Sequence, residues 1–339
     1  MSIHRVAWVG FASAAVVLAI LASIAFAPQL LAPQSLADNP GTNPDTTQQP
    51  LPSAVEVPVW AVGNRWVYNV SLTTDGYEWT ARILHGQIAK EVTVIETVEG
   101  AGAAYNVSVS GTFEFDHGVT KEGGTSLFHE RPEIRFMTAS VDGYTLYRTE
   151  NLARLLDVRT VRLEGTKSVP VDAEHGIEVI AHTSLVLHLR ATYEPAWDHW
   201  SFPIEEDEIW TVKTNASVEG LAVFRVDVPD GWIEIGKRFS FEVPLVYMVK
   251  SGTFEDVETP AGAFRAIGTA VERSLGSVPM EDDLAMAVEL AHVERIPHGS
   301  VEAWFSPAAR NVVRAVVTVS RDEMKAVQLE AILVSYNLG

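Results

Sequence analysis

The chain has 339 residues, 47% of them hydrophobic, and no cysteine. It can bury a substantial core, and outside the cytoplasm that core must hold without disulfides. Its 44 acidic residues against 25 basic ones give a net charge of −19, which repels nucleic acid and anionic headgroups, so no nucleic-acid partner is expected.

Val6 to Ala27 is a run of 22 residues without a charge. As a helix it would be roughly 33 Å long, enough to cross a hydrocarbon core of roughly 30 Å. His4 and Arg5 precede it, and no lysine or arginine follows until Arg65, so the positive-inside bias leaves everything after Pro28 outside the cell. The expectation is an uncleaved signal anchor within residues 1–37 that makes the membrane a partner through this helix. The alternative is a secretory signal cut after Ala25-Phe26-Ala27 or Ser35-Leu36-Ala37. Residues 38–54 are rich in Pro, Asn, Thr and Gln and lack aromatics, which reads as a disordered linker.

From Val55 the dominant period is two. Tyr105, Val107 and Val109 alternate with Asn106, Ser108 and Ser110, and Phe239 and Phe241 alternate with Ser240 and Glu242. Half-buried antiparallel strands give this pattern. Asp75-Gly76, Gly123-Gly124, Asp142-Gly143 and Pro229-Asp230-Gly231 supply turn chemistry between them. Only Met280 to His292 breaks the period, with an acidic first turn and apolar residues at helical spacing, which predicts a short helix.

Trp66 and Trp210 each open a strand pattern, 144 residues apart, and each is followed by a Glu-Thr element, at Glu96-Thr97 and Glu258-Thr259. A rival alignment matches Ser110–Glu114 with Ser251–Glu255. The first is preferred because it preserves a turn between two strands, and it predicts tandem β-domains over 55–195 and 196–339.

Trp60, Gly63, Trp66, the Trp200 to Trp210 stretch, Glu258 to Phe264, and Trp304-Phe305-Ser306-Pro307 ahead of Asn311-Val312-Val313 resemble a group of exported proteins frequent in archaea. Their domains resemble the curved antiparallel half-barrels of the lipoprotein carriers LolA and LolB. In that group the turn reads Pro-Ala-Gly-Thr-Phe and the later element ends in Gly, whereas here Ala263 and Ala308-Ala309-Arg310 stand in those places. The resemblance implies a mainly β fold of two half-barrel-like domains behind an N-terminal helix. It also implies a concave face where Trp66, Tyr68, Trp210 and Phe264 line a cavity for an apolar or lipid-like ligand; otherwise these aromatics are core.

Catalytic and cofactor motifs are absent: no P-loop, dinucleotide fingerprint, G-x-S-x-G, H-E-x-x-H or EF-hand loop occurs, so no cofactor is expected. His182 and His188 stand about 20 Å apart along a strand and cannot share a metal. Asp198-His199 and His129-Glu130 read as loop or interdomain contacts, and Glu205 to Glu208 as a solvated hairpin end. Asn69, Asn106 and Asn215 head N-x-S sequons on the strand face opposite the aromatics, which suits glycosylation. Together these readings predict an anchored or secreted, non-catalytic binding or envelope protein. An exported hydrolase assembled from distant residues is the alternative.

Overall fold

The computed structural model describes residues 54–76, 79–116, 134–172, 177–228, 231–274, 298–321 and 325–339. The expected signal anchor, the linker as far as Ser53 and the helix expected over 280–292 lie outside the described residues.

Fourteen strands are described. They are β1 (Ala54–Val55), β2 (Arg65–Gly76), β3 (Trp79–Val98), β4 (Gly102–Phe115), β5 (Ile134–Arg148), β6 (Arg154–Asp172), β7 (Ile177–Trp197), β8 (Ile204–Glu205), β9 (Ile209–Val228), β10 (Gly231–Thr259), β11 (Gly262–Ser274), β12 (His298–Ser306), β13 (Asn311–Arg321) and β14 (Lys325–Asn337). β2 to β7 and β9 to β14 form one closed barrel of antiparallel neighbours in chain order. The barrel closes where β14 meets β2, with Ala331 opposite Val70, and it crosses its midpoint where β7 meets β9, with Leu187 opposite Ala222.

Alternation makes the wall. Trp66, Tyr68, Val70 and Leu72 of β2 are buried while Asn69 is exposed, and on β7 Leu185, Leu187, Leu189, Ala191 and Tyr193 are buried while His188, Arg190 and Thr192 face water. Apolar side chains point inward and polar ones outward, the reverse of a barrel whose wall contacts lipid. Twelve strands enclose more space than small side chains can fill. Aromatics therefore occupy the lumen in one continuous core that includes Trp60, Trp66, Tyr68, Tyr105, Phe113, Tyr193, Trp197, Tyr247 and Phe264.

Two chain segments cross one end of this barrel. Residues 56–64, ahead of β2, bring in Trp60, whose Nε1 donates to Arg310 O at 2.8 Å and whose backbone N–H donates to Tyr105 Oη at 3.2 Å. Residues 198–208, between β7 and β9, bring in His199, Trp200 and Phe202. β1 and β8 pair across these segments, Val55 opposite Ile204, above a small cluster with Phe254, Ile267 and Phe305. Tight turns occupy the same end, among them the Pro260-Ala261 turn, where Gly262 adopts φ 129° as only glycine does without strain.

The fold expected from the sequence is corrected here. The strands are antiparallel and curved as expected, but they form a single closed barrel and not two tandem half-barrels. The position between Pro195 and Ala196 falls at the end of β7, and the two six-strand runs on either side share both seams and one core. No helix occurs among the described residues.

Candidate functional site

The lumen retains a cavity of about 100 Å³, bordered by Trp60, Tyr68, Val70, Ile88, Lys90, Val107, Tyr147, Arg154, Trp197, His199, Trp200 and, from the far wall, Val317, Leu329 and Ala331. A dry apolar cavity of roughly 150 Å³ accepts benzene, so this one takes a small molecule or one end of a larger one.

The charged side chains in and beside it come from β6 and β3. On β6, Asp157 and Arg159 occupy successive inward positions ahead of Val161 and Leu163, and both are buried. Arg159 Nη2 donates to Asp157 Oδ1 at 3.0 Å, Thr145 Oγ1 donates to the same oxygen at 2.6 Å, and Tyr193 Oη donates to Oδ2 at 2.8 Å. Asp157 is thus saturated by three neighbours, and its charge is matched by Arg159. Burial, then the Asp157 charge, pushes the Tyr193 phenol well above its ordinary range.

Arg154, at the start of β6, lies with its guanidinium 4.8 Å from the Trp197 ring centroid and 5.6 Å from that of Tyr147. Its Nη1 is 3.9 Å from Asp157 Oδ2, too far for a hydrogen bond, and is buried without a hydrogen-bond partner among the described residues. Lys90 projects from β3 between Ile88 and Val92, with Nζ 5.6 Å from the Tyr68 ring centroid. Burial pulls its ammonium down to about 7, with Arg154 and Arg159 acting in the same direction and Asp157 opposing them. Lys90 is half-buried and borders the cavity.

His199 completes one side. Its Nδ1 lies 3.1 Å from Tyr247 Oη, which also accepts the Trp197 indole N–H at 2.7 Å. Burial, then Arg154, lowers the imidazole to about 3, so His199 is neutral at any physiological pH. Its Nε2 is buried without a hydrogen bond among the described residues.

The four aromatics expected to line a cavity separate. Tyr68 borders it, with Oη donating to Val312 O at 3.0 Å. Trp66 is fully buried core whose Nε1 donates to Ala309 O at 2.8 Å. Phe264 packs edge-on to Tyr336 at 5.5 Å, away from the cavity. Trp210 is half-buried, outside the cavity lining, and donates to His199 O at 2.9 Å. Asn69 and Asn215 are exposed and Asn106 is half-buried on the outer face.

Sequence reasoning missed Lys90, Arg154, Asp157 and Arg159. For Lys90, Asp157 and Arg159 the signal was present as charges in the inward phase of an apolar alternation. The acidic run at 205–208 is tied down locally, Glu206 Oε1 accepting the Phe254 N–H at 2.7 Å and the Glu208 N–H donating to Ser251 Oγ at 2.8 Å. Among the described residues no group of three His, Asp or Glu side chains converges as metal ligands. A roomier groove of about 500 Å³ lies between β3 and β6, but it is open and polar, with His85 already 3.4 Å from Asp116 and 3.9 Å from Glu114.

No family model matches the chain, and no curated protein matches it. Two solved structures are similar to it over 84% of this chain and 99% of their own. One is a candidate exported protein with a YmcC-like fold from Bacteroides fragilis, at 12% identity and TM-score 0.28. The other is a candidate lipoprotein from Parabacteroides distasonis, at 11% identity and TM-score 0.31.

Proposed function

We propose that this protein is an exported, non-catalytic barrel, held at the membrane by its N-terminal segment, that receives a small amphiphile or one end of a lipid-like molecule in its lumen. The observation that carries the reading is the cavity itself, an aromatic and aliphatic hollow inside a closed wall. Such hollows are the default ligand sites of barrels.

The hydrolase alternative is disfavoured by the arrangement of titratable groups. Catalysis of that kind needs an acid and a base within reach of one substrate atom. Asp157 is saturated by Thr145, Arg159 and Tyr193 and does not border the cavity, and His199, lowered to about 3 by burial and Arg154, is a weak base whose Nδ1 is engaged with Tyr247.

The test is a titration of butan-1-ol into the full chain in phosphatidylcholine nanodiscs, following the indole N–H resonances of Trp60 and Trp197 by NMR. Saturable shifts of both are expected. Unchanged resonances with butan-1-ol and with butanoate alike would remove the reading.

A further inference from the structure

Resting on the lumen as the ligand site, we infer that its ligand carries a carboxylate, held by Lys90 and Arg154, with an apolar body lying against the aliphatic wall. Among the described residues, three cations, Lys90, Arg154 and Arg159, face one carboxylate in the lumen, Asp157, which Arg159 already neutralises at 3.0 Å. Lys90 Nζ makes no hydrogen bond or ion pair among the described residues, its only contact of note being the Tyr68 ring. Arg154 lies against the Trp197 and Tyr147 rings, and its Nη1, 3.9 Å from the Asp157 carboxylate that Arg159 already holds, lacks a hydrogen bond.

A buried cation without a partner is costly, and proteins tolerate one where something else supplies the opposite charge. In a chain of net charge −19, two cations left over in the lumen oppose the charge of the whole. The groups that act on Lys90 are Arg154, Arg159 and Asp157 of β6 and the Tyr68 ring of β2, and none but Asp157 is an anion. Facing the same hollow, Val70, Ile88, Val107 and Leu329 offer nothing to a purely ionic guest. A carboxylate on a short alkyl body satisfies both halves: a guanidinium edge and an ammonium for the head, and apolar side chains for the tail.

Three probes separate the possibilities: butanoate (head and body), butan-1-ol (body alone) and inorganic phosphate (charge alone). Each is titrated at pH 6.5 into the full chain in phosphatidylcholine nanodiscs. Butanoate is expected to bind about tenfold more tightly than either control, a difference of about 1.4 kcal/mol. In Lys90→Met the preference over butan-1-ol should fall to about threefold or less while butan-1-ol binds as before, and Arg154→Met should act in the same direction. Equal affinity for butanoate and butan-1-ol overturns the carboxylate and leaves the lumen reading intact. Phosphate binding as tightly as butanoate overturns the amphiphile. Failure of all three to bind removes both.

Discussion

Arg159 and Asp157 reach into the lumen from alternate positions of one strand and bond to each other at 3.0 Å. That bond, closed further by Thr145 and Tyr193, occupies the one lumen carboxylate that lies near Lys90 and Arg154 among the described residues. Asp157→Ala should then strand a buried guanidinium and two hydroxyls. Breaking such a pair from one side costs about 3–5 kcal/mol, and urea unfolding followed by tryptophan fluorescence should show a loss of this size.

Lys90→Met should do the opposite near neutral pH. The folded-state pKa of Lys90, about 7, lies below the unfolded value of about 10.4, so between these values the unfolded chain binds the extra proton and stability rises with pH. Below pH 7 the wild type bears the full cost of the buried ammonium; above about pH 10 it bears none. Without ligand, Lys90→Met should be more stable at pH 6.5 by on the order of 2 kcal/mol. The gap should shrink toward pH 10. A gap that stays constant with pH would show that Lys90 is not titrating in this range.

Trp66 and Trp210 should not respond alike. Trp66 is completely buried and bonded to Ala309 O, whereas Trp210 is half-buried. Trp66→Ala should cost about 3–5 kcal/mol. Trp210→Ala should cost roughly half as much, because less apolar area leaves the core. Thermal unfolding of the two variants side by side measures the difference.

Gly143 sits opposite Arg159 in the β5–β6 ladder at φ 154°. A Cβ there would lie 2.0 Å from Val158 O and 3.0 Å from Arg159 Cα, and backbone atoms cannot swing aside. Gly143→Ala should force β5 from β6, destabilise by about 2 kcal/mol or more, and loosen the Arg159–Asp157 bond with it. The amide exchange rates of β5 and β6 should rise relative to those of β12 and β13.

The wall was legible in the sequence and its closure was not. The alternation of Trp66, Tyr68 and Val70 with Asn69, and of Tyr105, Val107 and Val109 with Asn106, assigned strands and faces as they stand. A half-barrel and a closed barrel share that alternation, however. What separates them is the pairing of β14 with β2, between strands near opposite ends of the chain, and no local pattern encodes it. The pairing of β7 with β9 behind the inserted β8 segment is equally silent, which is why the sequence divides at 195 and the fold does not. At the site, Lys90 between Ile88 and Val92 could have been read as a charge in the inward phase. Arg154 and His199 could not, since their surroundings come from turns and from a segment folded across the barrel end.

Proton uptake tests the charged lumen most directly. An anion seated beside Lys90 raises its proton affinity from a free-state value of about 7. Butanoate binding at pH 7.5 should therefore draw a proton from buffer, seen by calorimetry as a binding enthalpy that varies with buffer ionisation enthalpy. The expected result is an uptake of about half a proton or more per site in the wild type and none in Lys90→Met. Butanoate binding with the same enthalpy in every buffer would contradict a lumen in which Lys90 meets the ligand's charge.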